Sequence, residues 1–158
     1  MRMVLVTITL LTALAGFQAS AVAANDIEVL LAAEEAPAGI VFEIVSGDAD
    51  TLGTLLTGVR ADIERLRARF PGLPVAVVSH GEEQFALTTA NLADDPGLDA
   101  IARDVVTGAD VDLHVCGTYA GWFGIDPEAF PDYVDVAAAG PAQINDYRAL
   151  GYVLITLP

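Results

Sequence analysis

Two hydrophobic periodicities alternate along this chain. Ile40-Val41-Phe42-Glu43-Ile44-Val45 is a near-continuous apolar run closed by Ser46-Gly47-Asp48, the pattern of a strand buried on both faces of a sheet. Leu52, Leu55, Leu56, Val59, Ile63, Leu66 and Phe70 then recur at helical spacing on one stripe, with Asp50 as the expected N-cap and Pro71-Gly72 as the stop. Arg60, Arg65, Arg67 and Arg69 alternate with Asp62 and Glu64 outside that stripe and read as a solvated face. Leu73 to Ser79 predicts a second strand. Asp94-Asp95-Pro96 predicts a cap, with Leu98, Ile101, Ala102 and Val105 as the apolar side of a short helix ending near Gly108. Strands are expected over Val111–Cys116, Tyr133–Ala138 and Tyr152–Leu157. A helix opened by Gly140-Pro141 precedes the last of them, with Ile144, Tyr147 and Leu150 on its stripe and Gly151 as its C-cap.

Strands alternating with helices imply an α/β fold, a three-layer α/β/α sandwich with a mostly parallel five-stranded sheet, in one domain over 39–158. Residues 25–38, rich in Ala and Glu, read as a linker or a short helix. Residues 1–24 have the form of a signal peptide: Arg2, an uncharged apolar stretch from Val4 to Phe17, and Ala21-Val22-Ala23, with cleavage after Ala23 or Ala24. The stretch falls short of the roughly 20 residues that span a bilayer, and a retained anchor is the alternative. The expected location is periplasmic or secreted, with no stable membrane anchor after cleavage.

Charge narrows the partners. The chain has 7 basic residues, all Arg, against 22 acidic ones, a net charge of −15. Such a surface repels nucleic acid and anionic lipid, so no nucleic-acid partner is expected. Cys116 is the single cysteine, so no disulfide forms within the chain; its thiol is buried and inert, reactive, or paired with another chain.

In parallel α/β folds, ligands bind beyond the carboxyl ends of the strands. Those ends deliver Ser46-Gly47-Asp48, Ser79-His80-Gly81 and His114-Val115-Cys116-Gly117-Thr118, so both histidines and the cysteine fall on one edge. Strand alternation puts Asp112, His114 and Cys116 on one face, the last two about 7 Å apart. A helical turn beginning at Gly117 would aim free N–H groups at the sulfur and favour the thiolate, the reactive form. The candidate catalytic residues are therefore Cys116 and His80. His114, Gly81, Gly117, Thr118, Tyr119 and Trp122 are the candidate binding residues, with packing beneath a helix as the competing role for His114. No cofactor is expected. Two His and one Cys could in principle bind zinc or copper, but no close-spaced ligand motif exists, both Met residues lie in the leader, and no metal site is expected. There is no Gly-rich phosphate loop and no GxSxG elbow. Glu82-Glu83 with Asp94-Asp95 would suit acid–base work or cation binding, but they read as solvated loop and cap residues.

With these residues assembled, the chain resembles the DsrE/DsrF-like family. Val77-Val78-Ser79-His80-Gly81, the cysteine closing Val111–Gly117, Ala139-Gly140-Pro141-Ala142-Gln143-Ile144 and Ala149-Leu150-Gly151-Tyr152-Val153-Leu154-Ile155 follow the family's motifs in order, across Ile40 to Leu157. The resemblance implies a small α/β/α domain that assembles into oligomers, with a cysteine at the place of Cys116 carrying sulfur as a persulfide between proteins. The expected function is a sulfur-handling protein exchanging sulfane sulfur with a donor or acceptor protein or a small sulfur compound, and forming a homo-oligomer. Gly117 and Thr118 would offer N–H donors, and Trp122 with Phe123 an apolar lid. The alternatives are a non-catalytic oligomeric module that binds a small ligand or partner, with a packing cysteine, and a redox partner joined through an intermolecular disulfide.

Overall fold

Residues 26–158 are described in a computed structural model of the protein; the expected signal peptide over 1–24 lies outside them. Five strands form one sheet: β1 (Gly39–Ile44), β2 (Val75–Ser79), β3 (Asp112–Cys116), β4 (Asp135–Ala137) and β5 (Tyr152–Leu157). Their spatial order is β4-β3-β2-β1-β5, and every neighbouring pair is parallel. The register lines up Asp135, His114, Val78, Glu43 and Thr156 as one row across the sheet. The central strands β1 and β2 are almost wholly buried, which is why they read as continuous apolar runs.

Six helices accompany the strands: α1 (26–31), α2 (Leu52–Arg69), α3 (Thr89–Asp94), α4 (Pro96–Arg103), α5 (Gly117–Trp122) and α6 (Gly140–Ala149). The stripe of α2 is buried at Leu52, Leu56, Val59, Ile63 and Leu66. Its entry differs from the expectation. The chain first winds one 3-10 turn, Ala49–Thr51, and Asp48 is the cap, its carboxylate accepting from the Asp50 N–H. Asp95 caps α4 as expected, accepting from the Leu98 N–H at 3.0 Å with Pro96 in the first turn. Leu150 is not on the buried stripe of α6. The helix ends at Ala149, Leu150 turns outward and is 67% exposed, and Gly151 takes a positive φ that returns the chain to the sheet. The Arg face of α2 is also more than solvated charge: Arg67 donates to the carbonyls of Leu73, Ala109 and Asp110, and Arg69 to that of Ala33, tying neighbouring loops to the helix.

The sheet divides two unequal cores. Ile40, Phe42, Ile44, Val77, Leu113, Val115 and Ile155 face a large cluster with side chains from α1 to α5, while Val41, Ala76 and Val78 face a small one with Ile144 and Tyr147 of α6. Parallel strands joined by right-handed crossovers dictate this division. The chain steps from β1 through β4 in one direction, keeping its helices on one face. It must then cross the whole sheet to place β5 beyond β1, so α6 alone covers the other face.

Candidate functional site

The helix after β3 packs on the large-core face, where Ala120 is buried, and the helix after β4 packs on the opposite face. The chains that leave these two neighbouring strands therefore go to opposite faces of the sheet. That is the topological switch point at which open parallel sheets bind ligands. A cleft of about 290 Å³ opens there, lined by His80, Cys116, Thr118, Tyr119, Trp122, Ala139 and Pro141. Its aromatic lining is Tyr119 and Trp122, the latter 75% exposed; Tyr119 stacks on Phe85 at 5.5 Å between ring centroids and meets Trp122 and the neighbouring Phe123, 58% exposed, edge-on. A roomier depression of about 570 Å³ around Asp50, Asn91 and Asp95 presents no imidazole or thiol.

Cys116 ends β3 and is 5% exposed. Its sulfur accepts the Tyr119 N–H at 3.4 Å, as the N-cap of α5. Its main chain is held from the other side by fully buried Gln84, whose Oε1 accepts the Cys116 N–H at 2.7 Å and whose amide donates to the Cys116 carbonyl at 3.4 Å. Gly117 lets α5 start close against β4, because a Cβ there would lie 3.0 Å from the Ala137 carbonyl oxygen. Thr118 departs from its expected role. Its N–H and hydroxyl both donate to the Ala138 carbonyl, at 3.1 and 2.6 Å, so that N–H is committed to the protein.

His80 follows β2, and its Nε2 lies 2.9 Å from Glu43 Oε1. The other carboxylate oxygen, Oε2, accepts the Thr156 hydroxyl at 2.8 Å. A carboxylate only accepts, so Nε2 carries the hydrogen and Nδ1 is the basic nitrogen of the neutral ring. Among the described residues Nδ1 has no hydrogen-bond partner. Gly140, at the start of α6, sits between the two key residues. A Cβ there would lie 2.6 Å from His80 Cβ and 3.4 Å from Cys116 Cβ, so those atoms are no farther apart than the two distances together. No hydrogen bond joins His80 to Cys116 among the described residues; they face one cleft and meet through what occupies it.

Gly81 allows the ends of β1 and β2 to touch, since a Cβ would come within 2.5 Å of the Ser46 carbonyl oxygen. Glu83 is not the solvated residue expected. It is fully buried, and its carboxylate accepts the main-chain N–H groups of Ser46 and Gly81 and the Ser79 hydroxyl, at 2.7 to 2.9 Å. His114 lies under α6 rather than on the cleft lining. Its Nε2 is 2.8 Å from the Tyr147 hydroxyl, which donates on to Asp112 at 3.2 Å. Burial holds the His114 pKa below its ordinary value, against the smaller opposing pull of Asp135 and Asp112. Burial, aided by Asp112, pushes the Tyr147 phenol well up.

Two residues of this region, Glu43 and Gln84, were not singled out by the sequence pattern, and a third, Glu83, was read as a solvated loop residue. Glu43 carried a readable signal, a lone carboxylate inside an apolar strand. Gln84 carried none, because its partner lies 32 residues away, and nothing near Glu83 in sequence announced that it would reach the Ser46 N–H 37 residues away. Among the described residues no group of three or more His, Cys, Asp or Glu is placed to hold a metal ion, and no helix is long and apolar enough to cross a membrane.

No family model matches the sequence, and no curated protein matches it. Among solved structures, the fold is similar to that of a protein of unknown function, MTH1491 from Methanobacterium thermoautotrophicum. The TM-score is 0.58 at 20% identity, over 75% of this chain and 97% of that one. It is also similar to the ychN protein from E. coli, with a TM-score of 0.56 at 15% identity, over 75% of this chain and 99% of that one. Both likenesses are of fold, and a fold does not carry an activity with it.

Proposed function

We propose that this protein carries sulfane sulfur as a persulfide on Cys116, outside the cytoplasm, and exchanges it with a donor or acceptor protein or a small sulfur compound, in a homo-oligomer. The observation that carries the reading is that Cys116 and His80 line one cleft at the switch point of the sheet. The DsrE/DsrF-like motifs of the sequence support the same reading. Three further features serve it. The Tyr119 N–H points at the sulfur and stabilises negative charge on it. Gln84 fixes the backbone that presents the thiol. The aromatic rim keeps water away from a persulfide, which hydrolysis and exchange would otherwise consume.

The step balances without an external oxidant. Cys116 gives its proton, through the cleft, to His80 Nδ1, and the thiolate attacks the outer sulfur of a hydropersulfide, R–S–SH. The new bond is Cys116 Sγ–S. The donor's S–S bond breaks, and R–S⁻ leaves with the electron pair and recovers the proton from the imidazolium as R–SH.

The second reading, a binding module in which the cysteine only packs, is favoured by the low exposure of the thiol. Intact-mass measurement after incubation with a low-molecular-weight persulfide separates the two. A gain of one sulfur atom, removed by a reductant and missing in Cys116→Ser, is expected for the carrier. A native protein that gains nothing, while the urea-unfolded chain does, contradicts it.

A further inference from the structure

Glu43 is the next-to-last residue of β1, a carboxylate within an otherwise apolar run, two residues after Val41 of the small core. The sheet register puts it in the same row as Val78 and Thr156, two residues before His80 on the neighbouring strand. From that place its two oxygens do different things: Oε1 takes His80 Nε2, and Oε2 takes the Thr156 hydroxyl. Its side chain is 20% and that of His80 15% exposed, so solvent competes only weakly for either group.

We infer that Glu43, itself oriented by Thr156, is the positioning residue that locks His80 with its hydrogen on Nε2 and leaves Nδ1 to serve the cleft. The inference rests on the sulfur-carrier reading for its consequence but not for its geometry. A free imidazole turns about its bond to Cβ and interconverts its two tautomers. The carboxylate removes both freedoms, because only Nε2–H satisfies it and only one ring orientation reaches it. In the transfer step the ring becomes imidazolium while it holds the proton from Cys116, and Glu43 then lies against that charge. Among the described residues lining the cleft no second anion does this work: α6 brings Gly140 against His80 and Pro141 to the cleft, without charge. The carboxylate of Glu83 is committed to Ser46, Ser79 and Gly81, and Cys116 and Tyr119 are the titratable groups across the cleft.

The chain has two histidines, which makes the test direct. The ring-nitrogen NMR signals of His80 and His114 report their tautomers, with His114, held by Tyr147, as the internal reference. In the wild-type protein, at a pH where His80 is neutral, its Nε2 should carry the hydrogen. In Glu43→Leu, which suits a strand facing an apolar core, the signal should move to a mixture of tautomers while His114 stays in place. The rate of sulfur loading on Cys116 should fall about tenfold or more. Thr156→Val keeps the carboxylate and should keep the tautomer, with a smaller loss of rate. A Glu43→Leu protein that retains the wild-type His80 tautomer overturns the inference, and so does one that loads sulfur at the wild-type rate. Should the wild-type protein take no sulfur at all, the carrier reading fails, and the tautomer measurement still decides whether Glu43 governs His80.

Discussion

At the scale of single residues, the site is built more by hidden amides and carboxylates than by the groups that do chemistry. Gln84 meets both the N–H and the carbonyl of Cys116. Gln84→Leu leaves those buried main-chain groups without partners and should cost about 2 kcal/mol, read as a lower urea midpoint. His114 gives a pH dependence with a definite sign. Its folded pKa is below the ordinary 6.5, so the unfolded chain binds a proton there that the folded chain refuses. Stability is therefore full above that value and is lost as pH falls through it, by at most about 1.4 kcal/mol per pH unit. Urea midpoints should fall between about pH 8 and pH 5.5, and fall less in His114→Gln. The places of Cys116 and His80 were readable because strand ends are readable. Gln84 was not, since what it grips lies 32 residues away and is main chain, which leaves no trace in a pattern of side chains.

At the scale of elements, Gly140 is the joint that seats the start of α6 against the ends of β2 and β3. A methyl there meets His80 Cβ at 2.6 Å, and that Cβ belongs to a chain already held by β1. Gly140→Ala should destabilise the fold by about 1–3 kcal/mol and displace His80, seen together as a lowered melting temperature and a perturbed His80 NMR signal. Most elements followed from periodicity: α2 from its stripe, α4 from Asp95-Pro96, and β5 from residue 152 to residue 157. The 3-10 segment Glu82–Leu87 and α3 were not read at all, being too short to show a stripe, and the other misses sit at ends. Asp50 lost the cap to Asp48 because the first turn is wound as a 3-10 helix, and Leu150 left its stripe because α6 stops one residue short of it. Hydrophobic spacing sets which face a helix buries; local hydrogen bonds set where it starts and stops.

At the scale of the whole molecule, two facts dominate: the reversal of strand order that opens the cleft, and a net charge of −15. The parallel sheet was legible in the alternation of strands and helices. The order β4-β3-β2-β1-β5 was not, because it is decided by which crossover goes which way, and no residue records that choice. The charge leads to its own expectation. Self-repulsion among carboxylates weakens as the screening length falls from about 10 Å at 0.1 M salt to 3 Å at 1 M. The exposed Arg–acid pairs contribute little to offset it. The melting temperature should therefore rise with sodium chloride, and a fall would show that ion pairs outweigh repulsion. The account as a whole turns on whether Cys116 can react in the folded protein. The most direct measurement is the rate at which a small neutral disulfide reagent modifies that single thiol, compared with the rate in urea. Modification of the native protein much faster than global unfolding, slowed in His80→Asn, is the predicted result. Modification only as fast as the chain unfolds would contradict it and leave the cysteine as packing.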